Sequence, residues 1–139
     1  MIRRSVFIGL VLLASAASAQ QVSITVKVAH ATKKGDQVDP GLEKLKKRMA
    51  DFGFTSYKLL DTRVLQLAMG AEGTVPLPGG KTFVVRAQQI DQDGKLRVHA
   101  HVKGETEVTY SIEPGGDLVV GGVPYEDGKL VLLLTHEKK

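Results

Sequence analysis

Residues 81–103, KTFVVRAQQIDQDGKLRVHAHVK, contain two runs of alternating apolar and polar residues on either side of Asp-Gln-Asp-Gly. Successive side chains of a β-strand point to opposite faces, so each run predicts a strand with one apolar and one polar face. Asp-Gly is a strong signal for a hairpin turn. The segment therefore predicts a β-hairpin, and an isolated hairpin needs neighbouring strands to cover its apolar face.

The rest of the chain supplies further short segments with strand periodicity. Residues 22–28 alternate β-branched and polar side chains and predict a first strand. After residue 54 the alternation is imperfect, which predicts a bulge or short break near Leu60 and Asp61. Residues 130–134 are apolar without interruption, so we expect that strand to be buried on both faces. The remaining predicted strands are residues 64–69, 74–77, 107–113, 118–120 and 129–135.

One segment has helical periodicity instead. Asp39 is a suitable N-cap, Pro40 suits the first helical position, and Gly53 suits the C-terminal end. Between them, spacings of three and four align an apolar stripe made of Leu42, Leu45, Met49 and Phe52. The sequence therefore predicts an α+β, mostly β fold: an antiparallel meander folded into a sandwich or partly open barrel, with one amphipathic helix.

The first 19 residues have the pattern of a secretory signal peptide. Arg3 and Arg4 precede an apolar run at residues 6–14, and Ala17 and Ala19 give the small-x-small pattern at a cleavage site. We expect cleavage after Ala19, a single domain at residues 20–139 with no membrane span, and a periplasmic or secreted location. The chain contains no cysteine, so neither a disulfide nor a cysteine-linked lipid is expected.

The charge of the predicted mature chain is nearly balanced. The whole chain has 19 Lys and Arg residues against 15 Asp and Glu residues; removal of Arg3 and Arg4 leaves 17 against 15, a net charge of +2. Nucleic-acid binding usually needs a concentrated basic patch. A dispersed excess this small argues against nucleic acid as a partner.

A set of residues spread over the mature chain resembles a group of small exported bacterial proteins without a known activity. The shared positions are Asp39, Pro40, Leu42, Leu45, Phe54, Ser56, Tyr57, Leu59, Leu60, Leu77, Pro78, Gly115, Gly116, residues 118–122, Tyr125 and residues 128–132. These positions form a helix start, turns and strands. The resemblance implies a single exported domain and no particular reaction.

His99 and His101 are the candidate metal ligands. Residues two apart on a strand share a face, and a His-x-His pair is a familiar zinc arrangement. A third ligand could come from His30 or His136. Arg97 and Lys103 have the same spacing, and their charge would oppose a cation, so the alternative is an ordinary solvated face.

A second candidate surface is the basic face of the predicted helix, which could bind an acidic envelope protein or an anionic surface. The alternative is a face that is basic only for solubility. Its residues are Lys44, Lys46, Lys47 and Arg48, and Lys33 and Lys34 could belong to the same surface. Asp91, Asp93 and Gly94 imitate the start of a calcium loop, but Lys95 interrupts it, so a hairpin turn is the preferred interpretation.

The sequence contains no Gly-x-Ser-x-Gly elbow, phosphate-binding glycine loop, cysteine nucleophile or His-Glu-x-x-His motif. The leading hypothesis is therefore an exported, non-enzymatic binding or accessory module of the bacterial envelope, with no cofactor. One alternative is a metal-binding protein or metal-dependent hydrolase that uses zinc at His99 and His101. Another is a purely structural domain.

Overall fold

The computed structural model describes residues 21–105 and 107–137. The predicted signal peptide, residues 1–19, lies outside these ranges. The described chain forms eight strands, one α-helix (α1) and a 3₁₀ turn that follows it directly. Their bounds are β1 (Gln21–Thr32), α1 (Glu43–Arg48), the 3₁₀ turn (Ala50–Phe52), β2 (Ser56–Ala68), β3 (Glu72–Pro76), β4 (Thr82–Ile90), β5 (Leu96–Val102), β6 (Val108–Ile112), β7 (Asp117–Tyr125) and β8 (Gly128–His136).

The strands form two antiparallel sheets of four. The first sheet has the order β2-β1-β8-β7, and the second has the order β3-β4-β5-β6. The second sheet is the predicted meander. In the first sheet, the last strand of the chain, β8, pairs with the first strand of the chain, β1. Because the described strands form two sheets and no closed barrel, the mostly β sandwich with one helix is confirmed.

The central hairpin is β4 and β5. The Asp91 N–H donates to the Lys95 carbonyl at 2.8 Å, and the Gly94 N–H donates to the Asp91 carbonyl at 2.9 Å. Gly94 has φ of +87°, a conformation that favours glycine. The hairpin-turn interpretation of residues 91–94 is confirmed.

The main core lies between the two sheets and is built from their inward-facing side chains. Phe83, Val85 and Ala87 of β4 are fully buried there, as the alternation predicts. β1 contributes Val22, Ile24, Val26 and Val28, and β8 contributes Leu130, Leu132 and Leu134. The period-two pattern of each strand therefore determines which residues form this core.

A second, smaller core covers part of the outer face of the first sheet. Its buried members are Ala29, Ala31, Leu42, Leu45, Met49, Tyr57 and Val131. The helical segment supplies three of these, and β1, β2 and β8 supply the others. This cover explains why residues 130–134 are buried on both faces of β8, as predicted.

The helix begins later than predicted. Asp39 and Pro40 precede it, and Asp39 does not cap it: its Oδ2 accepts a hydrogen bond from the Leu59 N–H at 2.9 Å. The physical reason is pairing with β2, because the Tyr57 N–H donates to the Gln37 carbonyl at 2.8 Å and the Asp39 N–H donates to the Tyr57 carbonyl at 3.0 Å. Residues 37–39 thus run beside a strand edge, so they do not start the helix.

Phe52 is also placed differently from the prediction. Leu42, Leu45 and Met49 are buried as expected, but Phe52 is 63 % exposed. A 3₁₀ turn has 3.0 residues per turn instead of 3.6, so the change after α1 rotates Phe52 away from the apolar stripe. Gly53 ends the segment with φ of +81°, as predicted.

Two strands are longer than predicted because bulges replace breaks. β2 is continuous, and Leu60 is its extra residue opposite the Val28/Ala29 step, which confirms the predicted bulge. β7 continues to Tyr125, with the register shift at Gly122, whose φ is +99°. The β7–β8 turn therefore consists of Glu126 and Asp127 alone.

Candidate functional site

A cleft opens between the helical segment and the outer face of β7 and β8. Its volume is about 490 Å³, within the range of small-molecule pockets. Its apolar lining consists of Met49, Phe52, Phe54, Val119 and Val131. The exposed Phe52 side chain therefore contributes to a concave surface.

Two consecutive glycines of β7, Gly121 and Gly122, line this cleft without a side chain. A Cβ atom added at Gly121 would lie 3.4 Å from Val131 Cγ1 and 3.9 Å from Met49 Cε. The next residue, Gly122, has open space where a side chain would stand. Gly121 thus leaves volume beside Met49 and Val131 that a larger side chain would occupy.

The charged side chains that line the cleft are all cationic. They are Lys33, Arg48 and Lys129, and none of the described lining residues is a carboxylate. Arg48 is oriented by its Nη1, which donates to the Asp117 carbonyl at 3.3 Å. The cleft combines an apolar floor with a positively charged rim.

The four residues of the predicted basic helix face do not all lie in the same surroundings. Lys44 Nζ lies 3.3 Å from Asp117 Oδ2, and the Asp117 side chain is only 7 % exposed. Arg48 and Lys44 therefore join the helix to β7. Lys46 and Lys47 are exposed and do not line the cleft.

His99 and His101 lie on the outer face of the second sheet, with Glu107 between them. His99 Nδ1 is 3.7 Å from one Glu107 carboxylate oxygen, and His101 Nδ1 is 3.7 Å from the other. His99 Nδ1 also forms a 2.7 Å hydrogen bond with the Thr109 hydroxyl. Arg97 instead pairs with Asp91 at 3.4 Å, so its charge is partly balanced.

The two proposed third ligands are on the other sheet. His136, on β8, is 7 % exposed and pairs with Ile24 of β1. His30, on β1, lies beside the β7–β8 turn, where its Nε2 is 3.7 Å from Asp127 Oδ1. Neither histidine belongs to the same sheet as His99 and His101.

His30 belongs to a separate cluster. Among the described residues, His30, Glu126 and Asp127 form the one group of three potential ligands whose donor atoms all lie within 4.8 Å of one another. Lys34 Nζ lies 3.1 Å from Asp127 Oδ2. The hydrogen bond from Lys34 lowers the pKa of Asp127, and the positive charge of Lys34 makes a smaller contribution in the same direction.

Desolvation raises the pKa of two tyrosines. At Tyr125 the negative charge of Glu126 adds to the effect of desolvation. At Tyr57, beneath the helical segment, burial is the cause. Both phenols therefore stay neutral to a higher pH than a free tyrosine would.

The fold is a two-sheet antiparallel sandwich with a helical segment on one outer face. Comparisons of the chain with protein-family models, curated proteins and solved structures give no significant match. Within the described ranges, no helix is long and apolar enough to cross a membrane.

Sequence reasoning placed Lys33 with the basic helix face but missed Lys129 and Glu107 as site residues. Lys129 is distant from the helix in sequence and joins Arg48 only through the packing of the helical segment on β8. Glu107 approaches His99 because β5 and β6 pair side by side. The sequence did contain one signal for Glu107. If residues 96–102 and 108–112 form an antiparallel hairpin, a residue just before β6 lies near the end of β5, where the two histidines are.

Proposed function

We propose that this chain is an exported, non-enzymatic binding module of the bacterial envelope, and that the cleft binds a small amphipathic anion. The observation that carries the proposal is the combination of an apolar floor with three cationic side chains and, among its described lining residues, no carboxylate. The signal-peptide pattern of residues 1–19 supports export. The absence of catalytic motifs from the sequence supports a binding role.

The two parts of such a ligand match the two parts of the cleft. An apolar chain would pack against Met49, Phe52 and Phe54, and removal of apolar surface from water favours binding by about 25 cal/mol per Å². An anionic head would lie near Lys33 and Lys129. These two lysines have exposed side chains, so each contributes a modest electrostatic attraction.

The cleft can be tested with decanoate as the probe and decanol as its uncharged counterpart. Isothermal titration calorimetry on the purified protein is expected to detect decanoate and to find decanol bound more weakly. The double variant Lys33→Gln, Lys129→Gln is expected to bind decanoate about tenfold more weakly, a loss of about 1.4 kcal/mol. The matched control is Lys46→Gln, Lys47→Gln, which removes the same charge outside the cleft.

The control separates a specific site from general electrostatic attraction. Equal losses in the two double variants would mean that the anion responds only to net charge, and the cleft proposal would be wrong. Gly121→Leu adds a second, steric test because the new side chain projects toward Met49. Its circular dichroism spectrum should match that of the wild type while decanoate binding is lost.

A second candidate function is metal binding, with or without hydrolysis, through His99 and His101. The observation in its favour is Glu107, whose two carboxylate oxygens each lie 3.7 Å from one of these histidines. Two imidazoles and one carboxylate form a common set of zinc ligands. A zinc-dependent rise in melting temperature that disappears in Glu107→Gln would support this function; the same rise in wild type and variant would exclude it.

A further inference from the structure

We propose that His30, Glu126 and Asp127 form a binding site for a divalent transition-metal ion at the β7–β8 turn. Their donor atoms all lie within 4.8 Å of one another. None of these three residues lines the cleft, and His99 and His101 lie on the other sheet.

The donors come from two elements that the first sheet holds in fixed register. His30 pairs with Leu130 across the β1–β8 ladder. Tyr125 and Gly128 pair with each other at the end of the β7–β8 ladder. Glu126 and Asp127 are the two turn residues between them. The ladder therefore brings an imidazole from one end of β1 beside two carboxylates of the hairpin turn.

The imidazole is oriented toward the carboxylates before any ion binds. The His30 and Tyr125 rings pack edge to face with centroids 5.0 Å apart at 77°. His30 Nε2 lies 3.2 Å from the Tyr125 carbonyl oxygen and 3.7 Å from Asp127 Oδ1. The His30 side chain is only 12 % exposed, so packing restricts its rotation and one ring nitrogen faces the turn.

The donor set determines the class of ion. One imidazole nitrogen and two carboxylates suit zinc and similar first-row divalent ions, whereas calcium and magnesium prefer oxygen ligands throughout. Two carboxylates also balance the two positive charges of the ion. The Tyr125 carbonyl oxygen, near the same ring nitrogen, is available as a further oxygen ligand.

Lys34 would compete with the metal ion for the Asp127 carboxylate. Its Nζ lies 3.1 Å from Asp127 Oδ2, and its side chain is 80 % exposed. A metal ion that takes the Asp127 carboxylate must displace or shift this ammonium group. Since the lysine is exposed and flexible, its displacement costs little, but its removal should favour the ion.

The test is a zinc titration of the purified protein, followed by calorimetry and by thermal melting. Zinc is expected to raise the melting temperature of the wild type, because a ligand that binds only the folded state stabilises it. Glu126→Gln and Asp127→Asn should each weaken zinc binding by about tenfold or more. Lys34→Met should strengthen it, and calcium should have no effect on any of the proteins.

The histidine variants distinguish this site from the pair on β5. His30→Gln should lose the effect of zinc, whereas the double variant His99→Gln, His101→Gln should keep it. Glu126→Gln changes an exposed side chain, so it keeps the test valid if His30→Gln fails to fold. Zinc binding that is absent from the wild type, or unchanged in Glu126→Gln and Lys34→Met, would overturn the proposal.

Discussion

The outer faces of the two sheets differ in cover and in charge. The first sheet is partly covered by the helical segment, and the cleft beside that segment has a rim of Lys33, Arg48 and Lys129. On the second sheet, the basic side chains named next each lie close to a carboxylate. The close pairs of this sheet are Arg86 with Glu72, Arg97 with Asp91, and His99 and His101 with Glu107.

This contrast separates charges that are available to a ligand from charges that are balanced within the protein. On the second sheet each basic group named above faces a carboxylate, so its field falls off quickly. In the cleft, three cations surround apolar side chains with no described carboxylate in the lining. The cleft is therefore the better candidate for binding an anion, although the second sheet contains the more conspicuous sequence motif.

A single strand shows how the sequence encodes the covered region. Ser23, Thr25 and Lys27 on the outer face of β1 are only half-buried. Farther along the same face, Ala29 and Ala31 are fully buried beneath the helical segment. Small side chains allow the helix to approach the sheet closely, so the change from polar residues to alanine marks the edge of the covered region.

The largest expected loss of stability comes from removing a buried side chain between the helix and the first sheet. Leu45 is fully buried in the second core, so Leu45→Ala should lower the free energy of unfolding by about 3 kcal/mol. Val84, on the uncovered outer face of the second sheet, is 8 % exposed, and Val84→Ala should cost only about 1 kcal/mol. Urea denaturation of both variants measures the difference. Equal losses would mean that the helix adds nothing to the stability of the sheet that it covers.

The next effect concerns the carboxylate that joins the helix to β7. Asp117 accepts a hydrogen bond from the Thr135 hydroxyl at 2.9 Å and pairs with Lys44 at 3.3 Å. Asp117→Ala should lower the free energy of unfolding by about 2 kcal/mol, because hydrogen bonds to a charged group are comparatively strong. Lys44→Gln is the control and should cost below about 0.5 kcal/mol, since Lys44 is exposed. If Lys44→Gln lowered the free energy of unfolding as much as Asp117→Ala does, Asp117 would act mainly through its ion pair and not through its hydrogen bond, which would contradict this prediction.

The architecture could be predicted from the sequence because its strands and turns are local patterns. Alternation identified the inward residues of β4 and β5, and the imperfect alternation after residue 54 indicated a bulge or short break near Leu60 and Asp61. The start of the helix could not be predicted in the same way. Asp39 suits a helix cap and a strand-edge contact equally well, and pairing with β2 decides between them.

The candidate sites were predictable only in part, since they combine residues distant in sequence. Arg48 was recognised as part of a basic helix face, but Lys129 joins it only through the packing of the helix on β8. His30 was considered as a third ligand for His99 and His101. In the structure, donor atoms of Glu126 and Asp127 lie within 4.8 Å of the His30 ring nitrogen instead, and their approach depends on a two-residue turn that the sequence pattern places in a longer loop.

A smaller effect is expected at Tyr57, beneath the helical segment. This residue is fully buried, and among the described residues its hydroxyl has no hydrogen-bond partner. Tyr57→Phe should therefore stabilise the protein slightly, by about 0.5 kcal/mol, because it removes a polar group whose burial is uncompensated. Thermal melting at neutral pH measures this change, and a clear destabilisation would indicate that the hydroxyl has a partner in solution.

The same variant has an expected pH dependence. Burial raises the pKa of Tyr57 above its ordinary value of 10.0, so the folded protein retains the phenolic proton over a range in which the unfolded chain loses it. The contribution to stability is complete below about pH 10 and decreases as pH rises through the higher folded pKa. The advantage of Tyr57→Phe should therefore grow above pH 10. A constant difference between the two proteins across that range would contradict the raised pKa.

The smallest expected effect belongs to the uncovered second sheet. Arg86 Nη2 lies 3.6 Å from Glu72 Oε2, and the two side chains are 43 % and 48 % exposed. Water screens such a pair strongly, so Glu72→Gln should change the free energy of unfolding by less than about 0.5 kcal/mol. Urea denaturation with and without 1 M sodium chloride separates charge from packing, because about 1 M salt shortens the screening length to about 3 Å. A difference of more than about 0.5 kcal/mol that persists in high salt would mean that Glu72 acts through packing and not through its charge pair with Arg86, which would contradict this prediction.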